Sequence, residues 1–352
     1  MPSSTGSLTE ALKFLIPAPI PLPISGRRLA PKINTMMTRM ISISGKPIGP
    51  KSAMSPMSYS LPRFAAILAI LALTSTGSSA ERPEVPQQPV FTAGVTQVEV
   101  YATVTDADGH AVKGLSQADF EVLENDQAQP IKTFMAGEFP AAVALAIDRS
   151  FSMKGTPLTI ARTAGRAFVA SLKPDDRVML ISISGEVEVL APLSADKETF
   201  YRALDAVDPW STTSLNDALV RSLDLLEGET GRRAIVVLSD GVDRYSTASD
   251  ADVVTRARSS DVMIYPIAIG KTRPTLFVEV ASITGGRSFH LRNPEALQPT
   301  LQAIASDLRS QYLIGYEPTI PVGRQRVEWR SITVKVGRPG LKVRARSGYS
   351  TK

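Results

Sequence analysis

Ala141-Ala-Val-Ala-Leu-Ala-Ile147, running straight into Asp148-Arg-Ser150-Phe-Ser152, decides how this 352-residue chain is built. Seven apolar residues without alternation read as a strand buried on both faces, as in a parallel sheet covered by helices. The residues beyond 152 keep that grammar. Residues 157–172 read as a helix with proline in its first turn, 177–183 as a strand, and 186–190 as a short alternating edge strand. Helices come next at 196–207 and 215–227, then a second buried strand at 234–238 (AIVVL). A helix at 250–260, a strand at 262–269, a weak helix at 275–283, a short strand at 287–291 and a helix at 294–308 complete the series. Strands alternating with helices predict a doubly wound, Rossmann-like α/β domain over 140–310.

On either side the period changes to two. Val98, Val100, Ala102 and Val104 share one face, with Glu99, Tyr101 and Thr103 on the other. Asp106-Ala-Asp108-Gly109 is a turn. Strands are expected at 120–123 and 131–135 with the Asn125-Asp126 turn between them. Beyond 310, residues 312–316, 331–336 and 341–345 read as strands, with a turn at Pro339-Gly340. Segments this short bury too little surface to fold alone. Residues 91–139 and 311–352 are therefore expected to pair into one small β-sandwich with the α/β domain inserted between them.

The first eighty residues read as address. Residues 1–53 are rich in Pro, Ser and Met without a period, and are expected to be a disordered over-extension with Met54 or Met57 as the true start. Residues 54–80 combine Arg63, the apolar run 64–73 (FAAILAILAL) and small residues before a cleavage point at Ala80, the pattern of a secretory signal. As a helix, that run rises about 15 Å, half of a bilayer core, so no permanent span is expected. Residues 81–90 are a proline-punctuated linker. The expected location is therefore the periplasm, the cell envelope or the exterior. The leader also explains the charge. It holds eight of the 39 basic residues and one of the 34 acids, leaving 31 basic against 33 acidic groups, so the net +5 is no sign of nucleic-acid binding.

The absence of cysteine removes disulfides, thiolate metal sites and thiol nucleophiles, and two histidines, His110 and His290, do not make a multi-histidine site. There is no G-x-S-x-G elbow and no G-x-x-x-x-G-K-[ST] loop, so no enzyme activity is expected. Chemistry concentrates instead where ligand sites of open α/β sheets lie, at the carboxyl ends of strands. Asp148, Ser150 and Ser152 end the first buried strand, and Leu238-Ser-Asp240-Gly241 ends the second. Ser211-Thr212-Thr213 precedes the helix at 215. These are hard oxygen donors, suited to Mg2+ or Mn2+ and unsuited to zinc or copper.

This arrangement resembles the metal-ion-dependent adhesion site (MIDAS) of von Willebrand factor type A (VWA) domains. The flanks, with FEVLENDQAQPIKTF (120–134) and Gln311-Tyr-Leu-Ile-Gly-Tyr316, resemble those of secreted bacterial "VWFA-related" proteins. The resemblance implies a metal held by Ser150, Ser152 and Thr213, with Asp148 and Asp240 bound directly or through water. It also implies an open coordination position for an acidic side chain of a protein partner. Where such loops often read Gly-Gly-Thr, this one reads Ser211-Thr212-Thr213, and Thr212 remains an alternative to Thr213. The expected function is an exported, metal-dependent protein-binding module of adhesion type. The alternatives are a structural or assembly component of the cell envelope with a non-functional metal site, and, more remotely, a hydrolase. Trp210 reads as a partner anchor or as packed against a helix. Arg149 and Phe151 alternate with the ligands and read as pointing away from the metal, with Phe151 alternatively part of the ligand-facing rim, and Asp243 reads as a solvated loop acid or as added negative charge on that rim. The last 32 residues, nine basic against one acidic, read as the wet face of sandwich strands or as a polyanion or membrane-surface contact.

Overall fold

A computed structural model describes residues 97–319 and 327–351. The expected extension (1–53), signal (54–80) and linker (81–90) lie outside the described residues. The N-terminal flank forms β1 (Val98–Thr105), β2 (Phe120–Glu124), β3 (Gln127–Gln129) and β4 (Ile131–Ala136). The middle forms β5 (Ala141–Asp148), α1 (Thr156–Ser171), β6 (Arg177–Ile183), β7 (Val187–Ser194), α2 (Lys197–Asp205) and α3 (Leu215–Leu226). It continues through β8 (Arg232–Ser239), α4 (Asp250–Arg258), β9 (Met263–Ile269), α5 (Thr275–Thr284), β10 (Phe289–Leu291) and α6 (Leu297–Arg309). The C-terminal flank forms β11 (Gln311–Tyr316), β12 (Trp329–Val336), β13 (Lys342–Arg344) and β14 (Gly348–Ser350).

The central sheet has the order β10-β9-β8-β5-β6-β7, parallel except for the antiparallel edge strand β7. All eight residues of β5 are buried. Val143, Leu145 and Ile147 pack with Phe168 of α1, Phe200 of α2 and Leu301 of α6. The alternating alanines 142, 144 and 146 share the opposite layer with Leu219 of α3, Val253 of α4 and Phe277 of α5. The close packing of α1 has a visible cause, since a Cβ on Gly165 would stand 3.2 Å from Leu145 Cδ2. Helices thus cover both faces, and the strand direction brings the carboxyl ends of β5, β6 and β8 to one rim.

The flanks build two four-stranded antiparallel sheets, β13-β1-β11-β4 and β14-β12-β2-β3. Each takes two strands from either end of the chain, and their inner faces share Val100, Val104, Phe120, Val122, Ile314 and Ile332. Phe120, Phe134 and Tyr312 add an aromatic cluster with centroids 5.0 to 5.9 Å apart. Strands β3 and β14 go beyond the sequence expectation. Three residues carry too little alternation to read, and the Asn125-Asp126 turn leads into β3 before β4 begins. Both turn residues have φ in the left-handed region (47° and 63°), as a two-residue hairpin requires. Within the N-terminal flank only β2 and β3 pair with each other, since β1 and β4 pair with β11, and β2 also pairs with β12. Residues 91–139 expressed alone should therefore be unfolded, with collapsed amide dispersion by NMR; a dispersed spectrum would contradict this strand exchange.

A buried polar network lies inside the sandwich. Glu124, 4% exposed, accepts hydrogen bonds from Arg330 Nη1 (3.0 Å), Tyr316 Oη (2.8 Å) and Tyr349 Oη (2.9 Å). Arg330 also meets Glu328. Removing Glu124 would leave Arg330 with the exposed Glu328 as its acidic partner and would take away the acceptor of both tyrosine hydroxyls. Glu124→Ala is expected to cost about 3–5 kcal/mol in denaturant unfolding; a loss below about 1 kcal/mol would show the network to be dispensable.

The basic C-terminal strands are a wet face in part: Lys335, Arg338 and Lys342 are exposed, while Arg344 and Arg346 are half-buried. Arg338 pairs with Asp119, Lys335 with Glu121, and Arg344 with Asp307 of α6 while also donating to Gly285 O. With Arg330 on Glu124, four of the nine basic residues pair with acids of the preceding chain, which a count over the last 32 residues cannot reveal. Among the described residues no helix is long and apolar enough to cross a membrane.

Candidate metal centre

Asp148 ends β5 fully buried, and both its carboxylate oxygens are engaged. Oδ1 accepts from Ser150 N (2.8 Å) and Oδ2 from Ser239 Oγ (2.6 Å). Burial pushes the Asp148 carboxyl above the usual range; the Ser150 and Ser239 hydrogen bonds oppose that, and the charge of Asp240 adds to it. A carboxylate held this way favours a nearby cation. Beside it the hydroxyls of Ser150 and Ser152 lie 2.9 Å apart. That is an ordinary hydrogen-bond length between two hydroxyls, and it also matches the roughly 3 Å between adjacent corners of an octahedron with Mg–O bonds of about 2.0–2.1 Å, so the pair fits a hard cation without requiring one. Neither Asp148 nor Ser152 caps the next helix; the N-cap of α1 is Gly155, without a side-chain bond.

The remaining candidates come from two further loops, clipped to the first by backbone hydrogen bonds. Phe151 N donates to Ser211 O (3.2 Å) and Trp210 N to Arg149 O (2.7 Å). Thr213 is 1% exposed, and its carbonyl accepts from Arg244 N (3.0 Å) and Tyr245 N (3.1 Å). Asp240 comes directly after β8, accepts from Val242 N (3.1 Å), and lines a hollow of about 300 Å3 together with Ser152. The next residue, Gly241, has φ +82°, and a Cβ there would lie 2.3 Å from Pro274 Cγ, so the turn admits only glycine. Where glycine is common in such loops, Ser211 adopts φ +58°, a left-handed conformation that costs a non-glycine residue about 1 kcal/mol or more.

Two contributors escaped the sequence reading. Ser239 orients Asp148 from the neighbouring strand, and its only signal was a hydroxyl just before Asp240. Asp243, read as a solvated loop acid, instead accepts from Leu215 N (2.7 Å) at the start of α3 and from Ser246 Oγ (2.7 Å). It fastens the third loop to the second. Both roles depend on contacts across strands and loops, which the local pattern does not encode. The histidines stand apart. His290 Nε2 is within 2.9 Å of Gly270 O, and His110 belongs to an exposed turn with Asp106 and Asp108 whose ligand atoms lie within 4.8 Å of one another. In that turn Asp106 Oδ1 accepts from the backbone N–H groups of Asp108 and His110.

Residues 143–242 match the family model of the von Willebrand factor type A domain. The chain is 29% identical over 211 residues to a UPF0353 protein of Mycobacterium tuberculosis, covering 50% of this chain and 61% of that one. It is 25% identical over 164 residues to an uncharacterized protein of Borreliella burgdorferi, covering 39% and 48%. The chain thus spans about half to three-fifths of the length of these relatives. Among solved structures, a von Willebrand factor type A protein from Catenulispora acidiphila aligns over 74% of each chain with a TM-score of 0.46 and 12% identity.

Proposed function

Because this chain carries a von Willebrand factor type A domain, we propose that it is an exported binding module whose rim holds Mg2+ or Mn2+ and presents it to an acidic side chain of a protein partner. The observation that carries this reading is the Ser150–Ser152 hydroxyl pair, 2.9 Å apart beside the buried carboxylate of Asp148. In this reading Ser150, Ser152 and Thr213 are the hydroxyl ligands, and Asp148 and Asp240 supply negative charge directly or through water. The bound cation would supply electrostatic attraction for a carboxylate. The protein's own part is to hold its oxygens in place beforehand, through Ser239 on Asp148 and Asp243 on the loop before α3. Export is supported by the leader's charge and its short apolar run.

Calorimetric titration of the purified chain with Mg2+ and with Mn2+ tests the proposal. One site per chain is expected. Absence of binding at millimolar metal would leave an assembly role without a cation.

A further inference from the structure

The α/β region and the sandwich share a hollow of about 720 Å3, a size that holds small organic ligands. It lies at the opposite end of the central sheet from the candidate metal centre. Arg233, near the start of β8, and Asp261, just before β9, line it. The other end of β8 carries Ser239, about 20 Å further along the strand. From the sandwich come Glu99 of β1, Tyr349 of β14 and Arg346 of the segment joining β13 to β14.

Most charges of this hollow are matched. Arg233 pairs with Asp261, and Arg256 pairs with Asp224 and Glu227. Two are not. Glu99 is half-buried and makes no hydrogen bond or ion pair among the described residues. Burial and the charge of Asp261 hold its carboxyl above the usual range, with Arg233 opposing them. Arg346, also half-buried, makes no ion pair among the described residues. Its Nε donates to Gly348 O (2.9 Å), and its guanidinium stands 5.8 Å from the centre of the Tyr349 ring. Burial pulls that guanidinium below its usual range, and the charge of Asp261 works against the shift. The segment carrying it is fastened to the end of α5 by Ser347 N donating to Ile283 O (3.1 Å).

Half-buried charges without partners cost free energy that a complementary ligand recovers. Glu99 and Arg346 are too far apart to pair with each other, so one molecule can meet them with separate groups. A phosphate or other polyanion would suit Arg346 but would also face Glu99, Glu227 and Asp261. A simple cation would suit Glu99 but would face three arginines. Only a ligand carrying both signs satisfies both groups without leaving a like charge opposed.

We infer that this hollow binds a small zwitterion of amino-acid or short-peptide chemistry, with its carboxylate on Arg346 and its ammonium on Glu99. The site needs no metal and does not rest on the reading proposed above. Because both regions line it, an occupant bridges the α/β region and the sandwich.

Calorimetric titration of the full chain with free leucine and with trialanine tests the site and tells the two ligand sizes apart. At least one should bind with a Kd below about 1 mM. Blocking either end of that ligand, by N-acetylation or C-amidation, should weaken it at least about ten-fold, because a hydrogen bond to a charged group is lost. The variants cross with the blocked ligands. Arg346→Gln should bind the free acid and its amide alike, and Glu99→Gln should bind the free amine and its acetylated form alike. Both should keep the wild-type response to Mg2+, since neither residue lies on the metal rim. Glu99→Gln, which only neutralises a carboxyl, decides the outcome should Arg346→Gln fail to fold. No binding of either ligand at about 10 mM overturns the inference. So do blocked ligands that bind as well as free ones, variants that discriminate as wild type does, or inorganic phosphate binding tighter than both zwitterions.

Discussion

Replacing Asp148 by Asn is expected to abolish uptake of Mg2+ and Mn2+ without weakening the metal-free fold. Asn keeps the shape of the side chain and a carbonyl oxygen that can accept from Ser150 N or Ser239 Oγ, while the negative charge goes. In the metal-free protein that charge is a burden. Asp148 is fully buried, no cationic side chain pairs with it among the described residues, and Asp240 adds repulsion. Burial of an uncompensated charge costs stability, and removing it should leave the melting midpoint equal to wild type or higher. Metal binding should respond in the opposite direction. Even loss of a residue that only supports a ligand typically weakens binding 10–100-fold, so loss of this carboxylate should cost about 100-fold or more. Saturating Mg2+ at about 100 times its Kd should stabilise wild type by about 2.7 kcal/mol and Asp148→Asn hardly at all. Thermal melts with and without Mg2+, paired with calorimetry, read both effects. A variant whose isotherm matches wild type removes Asp148 from the site; a variant that melts far lower assigns it a structural role instead.

The second large effect is alkaline unfolding. Tyr265 and Tyr316 are fully buried, and their hydroxyls are held well above the usual tyrosine range. Burial is the main cause for both, joined by the charge of Asp307 at Tyr265 and the hydrogen bond to Glu124 at Tyr316. Tyr101 and Tyr349 are pushed up to about 12, again chiefly by burial. In the unfolded chain these phenols ionise near pH 10, whereas in the fold they stay protonated to higher pH. The stability they confer is therefore complete below pH 10 and lost as pH rises through the folded values. Each group costs about 1.4 kcal/mol per pH unit in that window, so Tyr265 and Tyr316 together cost about 3 kcal/mol per unit. Urea titrations between pH 9 and pH 12 should show flat stability to about pH 10 and a steep decline above it. Tyr316→Phe should soften the decline. An unchanged slope would mean that Tyr316 ionises without unfolding the sandwich.

The two regions were legible to different depths. The α/β order could be read because each buried strand carries its own signal: 141–147 is apolar throughout, and β6 and β9 fall within a residue of their expected spans. Likewise Asp148, Ser150 and Ser152 were legible because one strand end presents all three within five residues. Ser239 and Asp243 were not, since each acts on a residue 91 or 28 positions away. Exposure was equally hidden. Whether Trp210 packed or projected could not be read from its neighbours, because that depends on what α2 and the adjoining loops leave uncovered.

What the sequence determined by itself is the set of strands and helices, the insertion of one region between two flanks, and the residues offering oxygen at strand ends, because burial period and residue chemistry are local properties. The tertiary structure alone decided that both sandwich sheets are shared equally between the two ends of the chain. It also decided that Arg330, Lys335, Arg338 and Arg344 of the basic tail pair with acids far back in sequence, and that Phe151, Trp210 and Tyr245 stay exposed. Strand exchange, charge pairing and solvent exposure are relations between residues distant along the chain, and only folding brings them together.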